Sequence, residues 1–218
     1  KEGGLMNTPK LYTYIMTVDS GLAPNPFWGY CTLAVCTPNH QGCRAKAGDY
    51  IAGFTTKREG YRLIYMMQVC EKLRMDKYFT DPRFQEKKPQ PNKTWQEKCG
   101  DNLYQEISPN KWITGYNPYH HDNLEQDTKN PFVFVGEKFW YFGENCIDVP
   151  EEFASLSGGM GTRVNHDENI KNNFINWVVQ NHAPGCHGLP RDRADKSCHT
   201  AATCQGKAPS PPPSCSSR

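Results

Sequence analysis

The densest collection of chemically useful side chains is the run Asp19-Ser20-Gly21-Leu22-Ala23-Pro24-Asn25-Pro26-Phe27-Trp28-Gly29-Tyr30. Phe27, Trp28 and Tyr30 offer aromatic faces beside the carboxylate of Asp19 and the amide of Asn25. Aromatic faces stack nucleobases at roughly 1–3 kcal/mol each. An asparagine amide presents the paired donor and acceptor that read a base edge. The same residues also suit a plainer role, the aromatics plugging the end of a barrel and Asn25 satisfying loop backbone. A second group, Gly100-Asp101-Asn102 with Tyr104, sets a carboxylate beside an amide. That pairing suits a ribose, a base or a metal, and equally an ordinary turn.

Tyr119-His120-His121-Asp122, followed by Asp127, brings imidazoles into play, and either His120 or His121 could serve as a general base. Adjacent histidines on a strand point to opposite faces, and no third ligand is indicated, so no metal site is expected. The acid–base candidates are therefore Asp19, Asp101, His120 and His121. Base binding falls to Asn25, Phe27, Trp28, Tyr30 and Asn102. Gly158-Gly159-Met160-Gly161-Thr162-Arg163 lacks the Gly-Lys-Ser/Thr ending of a P-loop, but Arg163 could meet a phosphate. Cys186-His187, Cys198-His199 and Cys204 keep no regular zinc spacing. Gly-x-Ser-x-Gly, His-Glu-x-x-His and the kinase signatures are absent, and the cofactor, if any, stays unknown.

These groups belong to a chain of 218 residues carrying 25 Lys and Arg against 23 Asp and Glu. So even a balance argues against coating DNA by charge alone, while leaving room for a local basic patch. No apolar run reaches the roughly 18 residues of a membrane span. Lys1 to Lys10 has no apolar signal core. A cytoplasmic protein without membrane partners is expected. Ten cysteines fit a disulfide framework or free thiols; free thiols are expected in a reducing compartment. Cys31, Cys36, Cys70 and Cys146 sit in or beside apolar stretches, where thiols pack as small hydrophobes.

Periodicity supplies the scaffold. Leu11 to Val18 alternates as a strand, with Tyr12, Tyr14 and Met16 on one face. Cys31 to Val35 is a short apolar segment. Ala47 to Phe54 is a turn feeding a strand, joined by the polar loop Thr55 to Gly60 to Tyr61 to Val69. That last strand is apolar on both faces and so central. Asp76 to Phe79 reads as one helical turn, followed by a polar loop to about Lys98. Phe132 to Val135 and Phe139 to Phe142 read as a hairpin around Gly136-Glu137-Lys138. A helix starts near Pro150 with Asp148 as its cap. Ile170 to His182 is a helix with Ile170, Phe174, Trp177 and Val178 in one stripe, ended by Pro184 and Gly185. Strands first and helices later indicate an α+β fold. The domain spans 11–190, and 191–218 is a Ser/Pro-rich disordered tail.

The blocks Asp19 to Ala34, Gly48-Asp49-Tyr50-Ile51-Ala52-Gly53, Tyr78 with Asp81-Pro82-Arg83-Phe84, Gly100 to Tyr104, and Phe139 to Gly143 together resemble the second nucleotide-modification-associated domain family. The resemblance covers about Leu11 to Pro190. It implies phage or bacterial genomic neighbourhoods rich in DNA-base modification genes, a nucleotide or DNA with a modified base as ligand, and DNA-modification enzymes as partners. Where the family pattern calls for a basic segment after Cys36, Arg44 retains that character and is the implied phosphate contact. The order of elements is also similar to PUA-like domains of the EVE kind, small β-barrels or antiparallel sheets flanked by helices. The resulting expectation is a domain that recognises a modified base in an aromatic and amide pocket. The alternatives are an enzyme of base hypermodification using Asp/His chemistry, and a scaffold acting through its tail.

Overall fold

The computed structural model describes residues 8–35, 43–120, 124–159 and 161–195. Cys36, His121 and the tail beyond 195, expected to be disordered, lie outside the described residues. The chain runs β1 (Leu11–Ile15), β2 (Cys31–Leu33), β3 (Tyr50–Phe54), β4 (Leu63–Gln68), β5 (Glu71–Arg74), α1 (Met75–Thr80), α2 (Trp95–Lys98), β6 (Tyr104–Ser108), β7 (Lys111–Thr114), α3 (Leu124–Thr128), β8 (Phe132–Gly136), β9 (Lys138–Tyr141), α4 (Glu168–Asn181) and β10 (Gly185–Cys186). Short 3-10 segments lie at Lys57–Glu59, Pro82–Lys87, Gly143–Asn145 and Glu151–Leu156.

The fold is mixed α+β, as the segregation of strands and helices predicts. A five-stranded sheet has the order β1-β3-β4-β9-β10, a three-stranded sheet the order β2-β8-β5, and β6-β7 stand as a separate pair. β4 is the middle strand, and its apolar residues Leu63 to Met67 are all buried. Alternation along β1 sends Tyr12 and Tyr14 into one core and Leu11 into another, on opposite faces of the sheet. The stripe on α4 covers the second core with Phe174 and Val178, flanked by Ile170 and Trp177. Asp167 caps that helix by accepting from the Asn169 and Ile170 amides.

Two expectations need correction. Phe132 to Val135 and Phe139 to Phe142 do not pair with each other. β8 pairs with β2 and β5, whereas β9 pairs with β4 and β10. Together they form one bent strand beside a second bent strand, β4 and β5. Gln68 faces Lys138 before the bend and Glu71 faces Val135 after it, in unchanged register. A side chain at Gly136 would put its Cβ 2.8 Å from the Gln68 carbonyl oxygen, so the bend requires glycine. A glycine between apolar runs marks a reversal or a bend equally well. Second, Asp148 caps no helix: it pairs with Arg62 at 2.9 Å, and the 3-10 segment after Pro150 has no side-chain cap. The described residues close no barrel, and β1 and β10 remain the edges of the larger sheet, so of the barrel and sheet forms expected it is open sheets that are present.

Candidate functional site

The Asp19 to Tyr30 loop is fastened from below by a residue far along the chain. Lys87 is fully buried, and its Nζ donates to the Asn25 carbonyl at 3.0 Å, to Asn25 Oδ1 at 2.7 Å and to the Tyr30 carbonyl at 3.0 Å. An ammonium has three protons, so this one is saturated. Burial pushes its pKa down to about 8, against the opposing pull of Asp101. Asn25 is held at both ends of its side-chain amide. Its Nδ2 donates to the Cys99 carbonyl at 3.1 Å, its Oδ1 also accepts from the Phe27 amide, and its main chain exchanges two hydrogen bonds with Thr32. Asp101 accepts from the Thr32 hydroxyl at 2.6 Å and the Tyr78 hydroxyl at 2.7 Å. Burial raises its pKa, with Lys87 opposing. Asn102 donates to the Tyr78 and Phe84 carbonyls, while its buried Oδ1 has no hydrogen-bond partner among the described residues.

Asp19, at the start of the loop, is equally enclosed. It accepts from the Tyr141 hydroxyl at 2.6 Å and the Arg191 amide at 3.2 Å, and its main chain exchanges hydrogen bonds with Asp192. Residues 191–195 are thereby docked onto the domain, with Arg191 also paired to Glu59 and Arg193 to Glu144. Burial pushes the Asp19 carboxyl up to about 6, opposed by the Tyr141 hydrogen bond. Cys31, at the start of β2, is fully buried. Burial drives its thiol pKa upward, and it feels Lys87, Cys186, Asp101 and Asp19. It is a free thiol, as are Cys43, Cys70, Cys99, Cys146 and Cys186.

The aromatic side chains of the loop divide into packed and presented. Phe27 is buried edge-to-face between Trp28 at 5.6 Å and Trp95 at 5.8 Å. Tyr30 is half-buried and meets Phe84 edge-on at 5.1 Å. Trp28 is half-exposed, with Lys87 Nζ 5.7 Å from its ring centroid. Its φ is +56°, a left-handed conformation unusual for so bulky a residue.

The other candidates lie elsewhere. His120 is buried with its Nε2 2.6 Å from Asp127 Oδ2, and the Tyr104 hydroxyl donates to the same oxygen at 2.7 Å. This group links β6 to α3 and is separate from Asp19 and Asp101. The guanidinium of Arg163 donates to the Ser155, Ser157 and Gly158 carbonyls, closing the end of the 3-10 segment before it. Arg44 is exposed and lines a cleft of about 560 Å3 with Lys10, Tyr12, Lys46, Asp49 and Val164. The structure thus brings Asp19, Asn25, Asp101, Phe27, Trp28 and Tyr30 around one loop, with Asn102 beside Asp101, and leaves His120, Arg44 and Arg163 at separate places.

Sequence reasoning missed Lys87, Tyr141 and Trp95, which hold the loop, and Lys10 and Lys46, which join Arg44. Lys87 sits in the polar run Gln85-Glu86-Lys87-Lys88, where nothing local separates a buried lysine from a solvated one. Among the described residues, no three His, Cys, Asp or Glu side chains gather as a metal site would need. No helix there is long and apolar enough to cross a membrane. The family model for nucleotide modification associated domain 2 matches residues 8–197. No curated protein and no solved structure matches the chain.

Proposed function

The chain belongs to the nucleotide modification associated domain 2 family, and from that premise we propose that it recognises a nucleobase, a modified one in the setting of base modification, by stacking it on Trp28. The observation that carries this reading is the conformation of Trp28. A bulky residue in the left-handed region costs roughly 1–2 kcal/mol, and such strain persists only where surrounding structure enforces it. Here the enforcing structure is the hydrogen-bonded set of Lys87, Asn25, Thr32 and Asp101, which fixes both ends of the segment carrying the ring. Asn25, Asp19 and Asp101 serve in this reading as the rigid floor of the loop. Tyr30 is the second half-exposed aromatic available to a base or its sugar.

The test is a thermal-shift and affinity screen of phosphate-free nucleosides, standard and modified, on the wild-type protein and on Trp28→Ala. Ligands that bind only the native state raise its stability by mass action. Loss of one stacked base is worth about 1–3 kcal/mol, or roughly 5- to 150-fold in affinity. A folded Trp28→Ala protein with undiminished nucleoside affinity sinks the proposal.

One observation favours the enzymatic alternative. The Asp19 carboxyl, lifted to about 6, changes protonation near neutral pH, as an acid–base catalyst must. Mass spectrometry of nucleosides incubated with the protein and candidate cosubstrates tests it; a new product that vanishes in Asp19→Asn would favour catalysis over recognition alone.

A further inference from the structure

The cleft around Arg44 is assembled by the pairing of β1 with β3. The two strands run parallel with Leu11 opposite Tyr50, so Lys10 and Asp49 meet at their starting ends. Asp49 is buried and fastens both sides of the cleft: its Oδ1 accepts from the Lys10 amide at 2.9 Å and its Oδ2 from the Lys46 amide at 3.0 Å. The Tyr50 amide closes the corner on the Lys10 carbonyl at 2.7 Å. The one carboxylate lining this cleft is therefore occupied by backbone donors, not by the cationic side chains.

Those side chains are left unopposed among the described residues. Lys10, Arg44 and Lys46 are all exposed, and none of their charged heads forms an ion pair or a hydrogen bond among the described residues. This is unlike Arg62, Arg74, Arg83, Arg191 and Arg193, each of which meets a carboxylate. Between the cations stands Tyr12, with its ring buried and its hydroxyl lacking a hydrogen-bond partner among the described residues. A protein whose formal net charge is only +2 thus concentrates three cations, unpaired among the described residues, and a phenolic donor on one concave surface. Converging donors of this kind match the oxygens of a phosphate, and the arginine can hold two of them at once.

We propose that the cleft lined by Lys10, Tyr12, Arg44 and Lys46 is a phosphate-binding site that takes the phosphate of a nucleotide or of a nucleic-acid strand. It is separate from the Trp28 loop and does not require that reading to hold.

The test uses the full chain and the triple variant K10A/R44A/K46A, whose charged heads hold no partner among the described residues. The probes are inorganic pyrophosphate, a nucleoside triphosphate and a short single-stranded DNA, each titrated across a salt series. Each cation–phosphate contact on a single strand contributes about 0.7 to the slope of log affinity against log salt. Three contacts predict a slope smaller by about 2 in the triple variant, with more than tenfold weaker binding at low salt. A strand bound more tightly than the triphosphate and pyrophosphate identifies a polynucleotide backbone. The reverse order identifies a free nucleotide, and either supports the site. Wild-type affinities and slopes retained by the triple variant for every probe overturn it, as does a wild-type protein that binds none of them at low salt. Phosphate-free nucleosides, whose affinity the triple substitution leaves unchanged, keep failure here distinct from failure of the Trp28 reading.

Discussion

Two polar regions of this domain assemble comparable charges and treat them in opposite ways. Beneath the Trp28 loop, Lys87 and Asp101 are buried, and every proton of the ammonium meets an acceptor. At the start of β1 and β3, Lys10, Arg44 and Lys46 are exposed and meet none among the described residues. A buried charge is tolerable only when its hydrogen bonds are made internally, and it then rigidifies what it touches. An exposed charge without a partner contributes little to folding and stays available to a ligand. The first region therefore shapes a surface, and the second is itself a surface. The contrast also separates the stacking proposal, which depends on a held conformation, from the phosphate proposal, which depends on free charge.

The most damaging substitution should lie in the first region. Lys87→Met removes the donor shared by three acceptors and leaves Asp101 without its nearest opposing charge. Breaking a buried charge arrangement of this kind costs about 3–5 kcal/mol, measurable as a lower urea midpoint. A loss below about 1 kcal/mol would mean that water replaces the ammonium readily, and the loop would then not be rigidly held.

A second break in the contrast uses pH. Burial raises the folded-state pKa of Asp19 from 3.8 to about 6. Across that window the folded protein keeps a proton that the unfolded chain has released, so stability falls as pH rises. The full effect is up to roughly 3 kcal/mol; it is complete above the upper limit and absent below the lower one. Asp19→Asn still accepts from Tyr141 but does not ionise, so its stability relative to wild type should grow from pH 4 to pH 6. Equal pH dependence in the two proteins would show that the carboxylate is solvated, unlike its neighbours in the buried region.

The difference between the regions also explains what the sequence discloses. β1, β3, β4 and α4 carry their periodicity in consecutive residues, and each forms near its expected place. The Asp19 to Tyr30 run is equally visible, because prolines, glycines and aromatics announce an ordered loop. Its fastening is not visible. Lys87 reaches Asn25 across 62 positions, and a lysine among polar residues reads as solvated until the chain closes over it. The cleft was half legible: Arg44 stood out, Lys46 lies two residues further on in the same segment, and Lys10 joins them only through the parallel pairing of β1 and β3. β6 and β7 went unread because their side chains are mostly exposed and leave no apolar alternation.

A smaller effect isolates the backbone of the loop from its aromatic surface. Trp28→Ala and Trp28→Gly both delete the ring, but only glycine adopts φ near +56° without strain. The glycine variant should be the more stable by about 1 kcal/mol in urea denaturation, although glycine ordinarily weakens a folded chain through its entropy. The reverse order would mean that the segment relaxes once the indole is gone. Stacking would then impose the conformation, not the Lys87 arrangement beneath it.

The smallest effects belong to the second region. Lys10→Ala, Arg44→Ala and Lys46→Ala should each change unfolding free energy by less than about 0.5 kcal/mol, since no charged head there holds a partner among the described residues. Asp49 is the necessary control, because its carboxylate joins the Lys10 and Lys46 amides. Asp49→Ala should lose about 1–3 kcal/mol by leaving two enclosed donors unpaired. If the three cation variants lost as much as Asp49→Ala, these side chains would be structural like Lys87, and the distinction between held and available charge would fail at the site where ligand binding most needs it.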